Sequence, residues 1–317
     1  MKRNTSQSSS PLKWVPTVYF AMGLPFVVLN MVSVLMFKGL DISDAQIAFW
    51  TSLIMLPWTL KPLWSPFLGM FKTKKFFVVL TQFVTGICFC LVALSLQMPY
   101  FFAIAIGLLF IIAFSGATHD IATDGIYMTE LDKEEQAKWI GWQGAFYNLA
   151  KVAASGGLVW LAGYLMGHFG TVYAWMAVMT LCGGIMLLLG FYHIKRLPKG
   201  GAATGEAHSF KDGLTSLWDV IGSFFKKKDI GWYIAFIILY RFAEGFVMKI
   251  VPLFLKAPVE QQGLGLTEQE IGLFYGTFGA IAFILGSILG GYFIARVGLK
   301  KALFFLCCAF NIPFAIY

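Results

Sequence analysis

Charge is scarce in this chain. Asp, Glu, Lys and Arg make up 13% of its 317 residues, about half the share usual in soluble domains. With 58% hydrophobic residues, 32 of them Phe, and a mean hydropathy of +0.74, this excludes an ordinary water-soluble domain. Cysteine is also sparse: Cys88, Cys90, Cys182, Cys307 and Cys308 lie inside apolar runs. None has zinc-type spacing or belongs to a disulfide framework, so they read as small core- or lipid-facing residues. No small-residue cleavage site follows the first apolar run, and that run is too long for the apolar region of a signal peptide. No serine–histidine or metal-ligating constellation occurs, and nothing calls for a cofactor or a metal. No large soluble signalling domain is present.

What the chain does have is apolar length. Nine spans can be drawn, at 14–37, 45–71, 76–96, 99–128, 140–165, 170–194, 230–257, 268–294 and 300–317, each near or above the ~20 residues a helix needs to cross a bilayer. The runs do not alternate, which argues against a barrel. A polar, Gly-rich gap ending in Lys226, Lys227 and Lys228 divides the chain into a six-helix bundle at 1–197, a cytoplasmic linker at 198–229 and a partial bundle of about three helices at 230–317. With the N-terminus inside, the inner segments collect Lys72, Lys74, Lys75, Lys195, Arg196, Lys199, Arg296, Lys300, Lys301 and most other basic residues. The outer loops hold only Lys38 and Lys256. This asymmetry predicts a multi-pass membrane protein with a cytoplasmic N-terminus. It also assigns the net charge of +8 to the lipid surface and not to nucleic acid.

The two parts echo each other. Leu40-Asp-Ile-Ser-Asp-Ala-Gln-Ile opens the second span and Leu264-Gly-Leu-Thr-Glu-Gln-Glu-Ile the eighth. Ser43 with Gln46 and Thr267 with Glu270 have the spacing of capping boxes, and both spans end in a short basic loop. Two six-helix halves in parallel repetition are the plan of the major facilitator superfamily. The second half holds three helices where the repeat predicts six, so a longer natural gene product is expected.

Seven charged residues fall inside the spans: Lys61, Asp120, Asp124, Lys151, Arg241, Glu244 and Lys249. Each costs about 2.5–3.5 kcal/mol in hydrocarbon unless it faces a cavity or a partner, so together they point to a polar pathway and to transport. Asp120 and Asp124 share one face of a helix. Two carboxylates there cannot both ionise cheaply, which suits a proton carrier; static pairing with Lys61 is the competing reading. Lys61 sits among Pro57, Pro62 and Pro66, where a bend aims it into a cavity or lets it snorkel to the interface. Gln143, Tyr147, Lys151 and Ser155 form a polar stripe, with Lys151 as an anion contact or a helix–helix hydrogen-bonding group. Asn148 lies beside that stripe. Arg241 and Glu244 are spaced to pair, and Lys249 is either a second substrate contact or an interface anchor. The glycines of span eight, Gly272, Gly276, Gly279, Gly286 and Gly290, read as packing between halves. His119 reads as a core histidine or a relay member, and His168, His193 and His208 as loop or interface residues. The acidic stretch from Glu130 to Glu135 reads as a solvated connector, with Glu130 within reach of the basic loop after span two.

Several segments resemble one branch of this superfamily, the AmpG-type muropeptide permeases, which are also similar to acetyl-CoA transporters. Leu56-Pro-Trp-Thr-Leu-Lys61-Pro-Leu-Trp64-Ser-Pro66, Thr118-His119-Asp120-Ile-Ala-Thr-Asp124-Gly-Ile-Tyr127 and Phe20-Ala-Met-Gly23-Leu-Pro25 carry the resemblance. The family has Gln where this chain has His119. Its inner-loop acids fall on Gly69 and Ala295, while Gly291, Arg296, Gly298, Lys300 and Lys301 keep the rest of the second gating loop. The resemblance implies an all-helical major facilitator fold in which the third helix of each three-helix unit lies against lipid. It further implies a proton-coupled secondary transporter that takes up anhydromuropeptide, as a monomer, by alternating access. Asp120, Asp124 and Glu244 would then couple protons. Lys61, Gln143, Tyr147, Lys151, Arg241, Lys249 and Trp58 would hold the small-molecule substrate, with Trp58 and Tyr147 suited to stack on sugar. Another organic anion, such as an acyl-CoA-like solute, and a non-transporting membrane sensor are the alternatives. An enzyme is not expected, since the aspartyl-protease chemistry that paired intramembrane Asp residues suggest needs them on two helices.

Overall fold

The structure, a computed structural model, describes residues 10–65, 68, 72–201, 215, 218–219 and 222–311. It leaves aside the side chains of 137, 240–246, 248, 283–284, 287–288, 290–292, 294–295, 299–300 and 310–311. Every described element is helical. Five helices are long and apolar enough to cross a membrane: α1 Pro11–Gly39, α4 Lys74–Ser95, α5 Phe101–Glu130, α6 Lys133–Phe169 and α7 Thr171–Arg196. The remaining helices longer than three residues are α2 Asp44–Leu53, α3 Leu56–Leu60, α8 Ile230–Lys256, α9 and α10 Leu299–Asn311. Helix α9 runs through Glu268–Ile271, Gly272–Phe278 and Gly279–Val297.

Of these five, helix α1 is the most deeply buried, and it packs along α6 and α5. Pro25 sits inside it, and three residues later Val28–Val32 widens into a π turn. A proline ring cannot share a turn with the carbonyl four residues back, and an inserted residue is one way a helix absorbs such a defect. The Asn30 amide donates back to the Phe26 carbonyl at 3.0 Å and the Ser33 hydroxyl to Leu29 at 2.9 Å.

The second span was expected as one bent helix over 45–71. It is broken instead. Helix α2 stops at Leu53, α3 runs for one turn and a half, and Lys61–Leu63 is a 3₁₀ turn. Pro57 and Pro62 remove two backbone donors, and the chain changes to i→i−3 bonds: Met55 N–H to Ser52, Trp58 N–H to Met55 and Trp64 N–H to Lys61. Residues 66, 67 and 69–71, with Gly69, lie outside the described residues.

The caps differ from their sequence reading in two places. The Thr267–Glu270 box at α9 is complete, but the Ser43 hydroxyl donates to the Gln46 side chain at 3.0 Å and caps no helix amide. The acidic stretch after α5 is more than a connector. Asp132 and Glu135 form a full capping box for α6, and such a cap is worth about 1 kcal/mol. Glu130 accepts the Gly200 N–H at 2.7 Å, a linker contact and not one to the basic loop.

Among the helix pairs that approach backbone to backbone are α4 with α7 and α6 with α9. In α4 and α7, a Cβ on Gly183 would lie 2.7 Å from the Gly86 carbonyl oxygen. In α6 and α9, a Cβ on Gly276 would lie 2.2 Å from the Ser155 carbonyl oxygen. Only glycine fits such spots, and membrane helices gain dispersion from the closeness. The α6–α9 contact joins two π segments, Ala153–Leu158 and Gly272–Phe278. Gly272 shares the approach, while Gly279 and Gly286 meet nothing closely; the side-chain environment at Gly290 lies outside the described residues.

Candidate functional site

Where the second span breaks, Lys61 and Trp58 turn toward α5. The Lys61 ammonium donates to Asp120 Oδ2 at 2.5 Å, and Trp58 Nε1–H donates to the same oxygen at 2.9 Å. Gly116, one turn before Asp120, makes room for the indole, because a Cβ there would stand 2.8 Å from the Trp58 ring. The pair is only partly wet, with side-chain exposures of 27% for Lys61 and 12% for Asp120. Asp120 Oδ1 is buried and accepts no hydrogen bond. Asp124, on the same face, has a different partner: the Tyr19 hydroxyl donates to its Oδ1 at 3.0 Å.

The adjacent residue, His119, faces the opposite way into a buried polar chain. The Gln82 amide nitrogen donates to His119 Nε2 at 3.0 Å, and Gln82 Oε1 accepts from His193 Nδ1 at 2.9 Å. His193 Nε2 meets the Thr17 hydroxyl at 2.9 Å, and His119 Nδ1 faces Thr123 at 3.4 Å. An amide nitrogen cannot accept, so with the amide in this orientation His119 accepts at Nε2. His193 is therefore fully buried in a chain joining α1, α4, α5 and α7, not the loop or interface residue its place near Lys195 and Arg196 suggested. Gln82 and Thr17 had no sequence signal, since a neutral polar residue barely interrupts an apolar run.

A cavity of about 290 Å³ lies on the other side of Trp58, between α1, α6 and α9. Phe26 in its wall meets the Trp58 ring edge-on at 5.5 Å. Its polar groups are Asn30, Asn148, Lys151, Ser155 and Tyr275 in an otherwise apolar lining. All three π segments contribute, Val28–Val32 through Asn30 and Met31, Ala153–Leu158 through Ser155, and Gly272–Phe278 through Tyr275 and Gly276. Such insertions are frequent at functional sites. Asn30 and Tyr275 escaped the sequence reading because nothing local brings helices one and eight together.

The remaining candidates are distributed as follows. Lys151 lies in the cavity with its ammonium 4.8 Å from the Tyr147 ring centroid, a cation–π distance. Gln143 is half-buried two turns earlier on α6. Lys249 donates to the Thr51 carbonyl at 3.2 Å and so ties α8 to α2 near the break. Arg296 and Lys301 are exposed, and Gly298 takes a positive φ of 84° between α9 and α10. The side chains of Arg241, Glu244, Ala295 and Lys300, and the surroundings of Gly291, lie outside the described residues. Among the described residues no cluster of His, Cys, Asp and Glu could hold a metal.

Long apolar helices, a broken span with a largely buried ion pair and a cavity between α1, α6 and α9 define a multi-pass membrane protein of transporter-like architecture. Residues 17–317 match the Major Facilitator Superfamily, and the chain belongs to that family. It is 28% identical over 263 residues to AmpG 3 of Rickettsia prowazekii (strain Madrid E), covering 78% of this chain and 59% of that protein. It is 23% identical over 292 residues to the anhydromuropeptide permease of Escherichia coli (strain K12), covering 90% and 55%. The chain thus spans under two thirds of the length of these curated relatives. Its fold is also similar to that of a bacterial homolog of the human lysosomal transporter Spinster, with a TM-score of 0.64 and 16% identity over 91% of this chain and 64% of that one.

Proposed function

We propose that the protein is a proton-coupled secondary transporter that carries an organic anion by alternating access, with anhydromuropeptide as the best-fitting cargo. The observation that carries this reading is the orphaned Asp120 Oδ1. It is a buried carboxylate oxygen with an empty acceptor site, four residues from a second carboxylate. A proton placed there removes the charge that holds Lys61 and loosens the Lys61–Leu63 turn from α5. Lys61, released, is a cation available to an anionic guest. Trp58 links the two events, since it donates to Asp120 and touches the cavity wall at Phe26.

The cavity supports the cargo class. One cation, two amides and a largely apolar wall suit a carboxylate attached to a sugar or acyl body. Its volume is at the low end for small-molecule sites, about 300 Å³, so it fits one moiety of a muropeptide. The name of the Escherichia coli relative favours this cargo over an acyl-CoA-like anion. In this reading Glu244 and Arg241 take part in coupling and binding, Gln143 and Tyr147 flank the Lys151 contact, and the α9–α10 loop with Arg296 and Lys301 gates the inner side. The 198–229 segment links two bundles of a monomer whose N-terminus is cytoplasmic in the inner membrane, as the basic-residue asymmetry supports.

The test is uptake of labelled anhydromuropeptide into proteoliposomes with and without an imposed proton gradient. Accumulation should require the gradient, and Asp124→Asn should lose driven uptake while retaining exchange. Equal uptake without a gradient would remove the coupling. Uptake blocked by acyl-CoA but indifferent to muropeptide would replace the cargo.

A further inference from the structure

A second cavity lies away from the transport pathway. It is an open groove of about 410 Å³ on the outer side of α4 and the end of α7, walled by Phe76, Leu80, Phe83 and Ile194, with Thr73 and Lys75 at one end. From Thr73 to Phe83 it extends about 15 Å by helical rise, the depth of one leaflet of a ~30 Å hydrocarbon core. Its floor is fixed. The Phe83 ring lies against Gly190 and packs edge-on with Phe191 at 4.9 Å. Phe76, Leu80 and Ile194 stay exposed along its length.

The charged end is unusual. The Lys75 backbone N–H donates to the Lys199 carbonyl at 3.3 Å, so the start of the linker crosses α4 and sets Lys199 beside Lys75. Two cationic residues thus adjoin at this end of α4. No carboxylate pairs with either among the described residues. Glu130, the acid at the adjoining end of α5, is turned toward Gly200 and Gly201 N–H. Lys74 is likewise occupied, donating to Thr129 and to the Gly200 carbonyl. Two like charges are thus held together at the mouth of an apolar groove one leaflet deep.

We propose that this groove binds a phospholipid with an anionic headgroup, its phosphate between Lys75 and Lys199 and one acyl chain along Phe76, Leu80 and Phe83. The phosphate meets both cations, and the chain fills a slot whose length matches it. The exposed apolar surface of α7 beyond the groove, at Leu188, has no such cation pair and is ordinary lipid contact.

Native mass spectrometry of the detergent-purified protein tests this with phosphatidylglycerol and phosphatidylcholine of equal chain length. Phosphatidylglycerol should bind roughly thirtyfold more tightly, from about two lysines' worth of surface attraction. The double variant K75Q/K199Q should lose that preference and keep its phosphatidylcholine binding, whereas K226Q/K227Q should keep both. Independently, a Leu80→Trp reporter should be quenched more by brominated phosphatidylglycerol than by the brominated choline lipid. Equal affinity for the two lipids, or a preference that survives K75Q/K199Q, overturns the proposal. So does displacement by inorganic phosphate with dihexanoyl phosphatidylglycerol binding as well as the long-chain lipid, which would make this a phosphate site without a lipid groove.

Discussion

His119 and Asp120 are neighbours in sequence, yet they serve two different kinds of buried polar structure. On one side of α5, His119 joins Gln82, His193 and Thr17 in a neutral chain whose donors and acceptors are matched. On the other, Asp120 meets Lys61 and Trp58 through one oxygen and leaves the second without a donor. The neutral chain ties together four long helices. The charged pair ties the 30-residue α5 to the three-residue 3₁₀ turn Lys61–Leu63 that follows α3, a segment already cut loose by prolines. A satisfied network rigidifies, whereas a buried ion pair stabilises little beyond the cost of desolvating it and is strongly sensitive to the loss of one partner. The comparison assigns stiffness to the first side of α5 and switching to the second.

The largest expected effect comes from breaking the charged side asymmetrically. Lys61→Ala leaves the Asp120 carboxylate buried with only Trp58 as donor, and should cost about 3–5 kcal/mol. Removing both partners in Lys61→Ala/Asp120→Ala should cost less than the single change, because no lone charge remains. Thermal unfolding of the purified variants in detergent reads this ordering directly. A double variant less stable than Lys61→Ala would mean that the pair is a structural brace, and the assignment of switching to this side would fail.

The neutral side should respond differently. Gln82→Leu removes one acceptor and one donor at once and leaves two buried imidazole nitrogens unmatched, at about 1–3 kcal/mol for each orphaned group. A lowered unfolding temperature is therefore expected. The proton dependence of uptake should be kept, because no charged group is touched. If Gln82→Leu instead uncoupled uptake from the gradient at unchanged stability, the chain would belong to the proton path and the contrast between the two sides would disappear.

The sequence made the fold class plain for a physical reason: apolar runs long enough to cross hydrocarbon leave few alternatives. The pairing of Lys61 with an Asp of α5 was also within reach, because only a few charges compete for partners inside the spans. Three things were not. The halt of α2 at Leu53 depends on which carbonyls find new donors, and Pro57 and Pro62 alone announce only a bend. The three π segments carry no residue signature, although they shape the cavity. His193 could not be placed because its sequence neighbours, Lys195 and Arg196, belong to a helix end, whereas its own side chain turns inward to Gln82. Whatever needed two distant helices at once, as with Asn30 beside Tyr275, was invisible to a pattern read along one chain.

The smallest of these effects sharpens the comparison most. Tyr19 donates to Asp124 and also packs edge-on against Tyr127 at 5.9 Å, so the second carboxylate is held from α1 and not from α3. Tyr19→Phe keeps the ring and removes only the donor, a loss of about 1.5 kcal/mol for a bond to a charged acceptor. If Asp120 and Asp124 act as one unit, weakening the hold on Asp124 should alter how uptake varies with pH as much as changes at Lys61 do. If the break in the second span is what makes Asp120 special, Tyr19→Phe should lower stability slightly and leave that pH profile where it was. The first outcome is expected, since loss of Asp124 is itself expected to remove driven uptake and Tyr19 is the donor that holds that carboxylate.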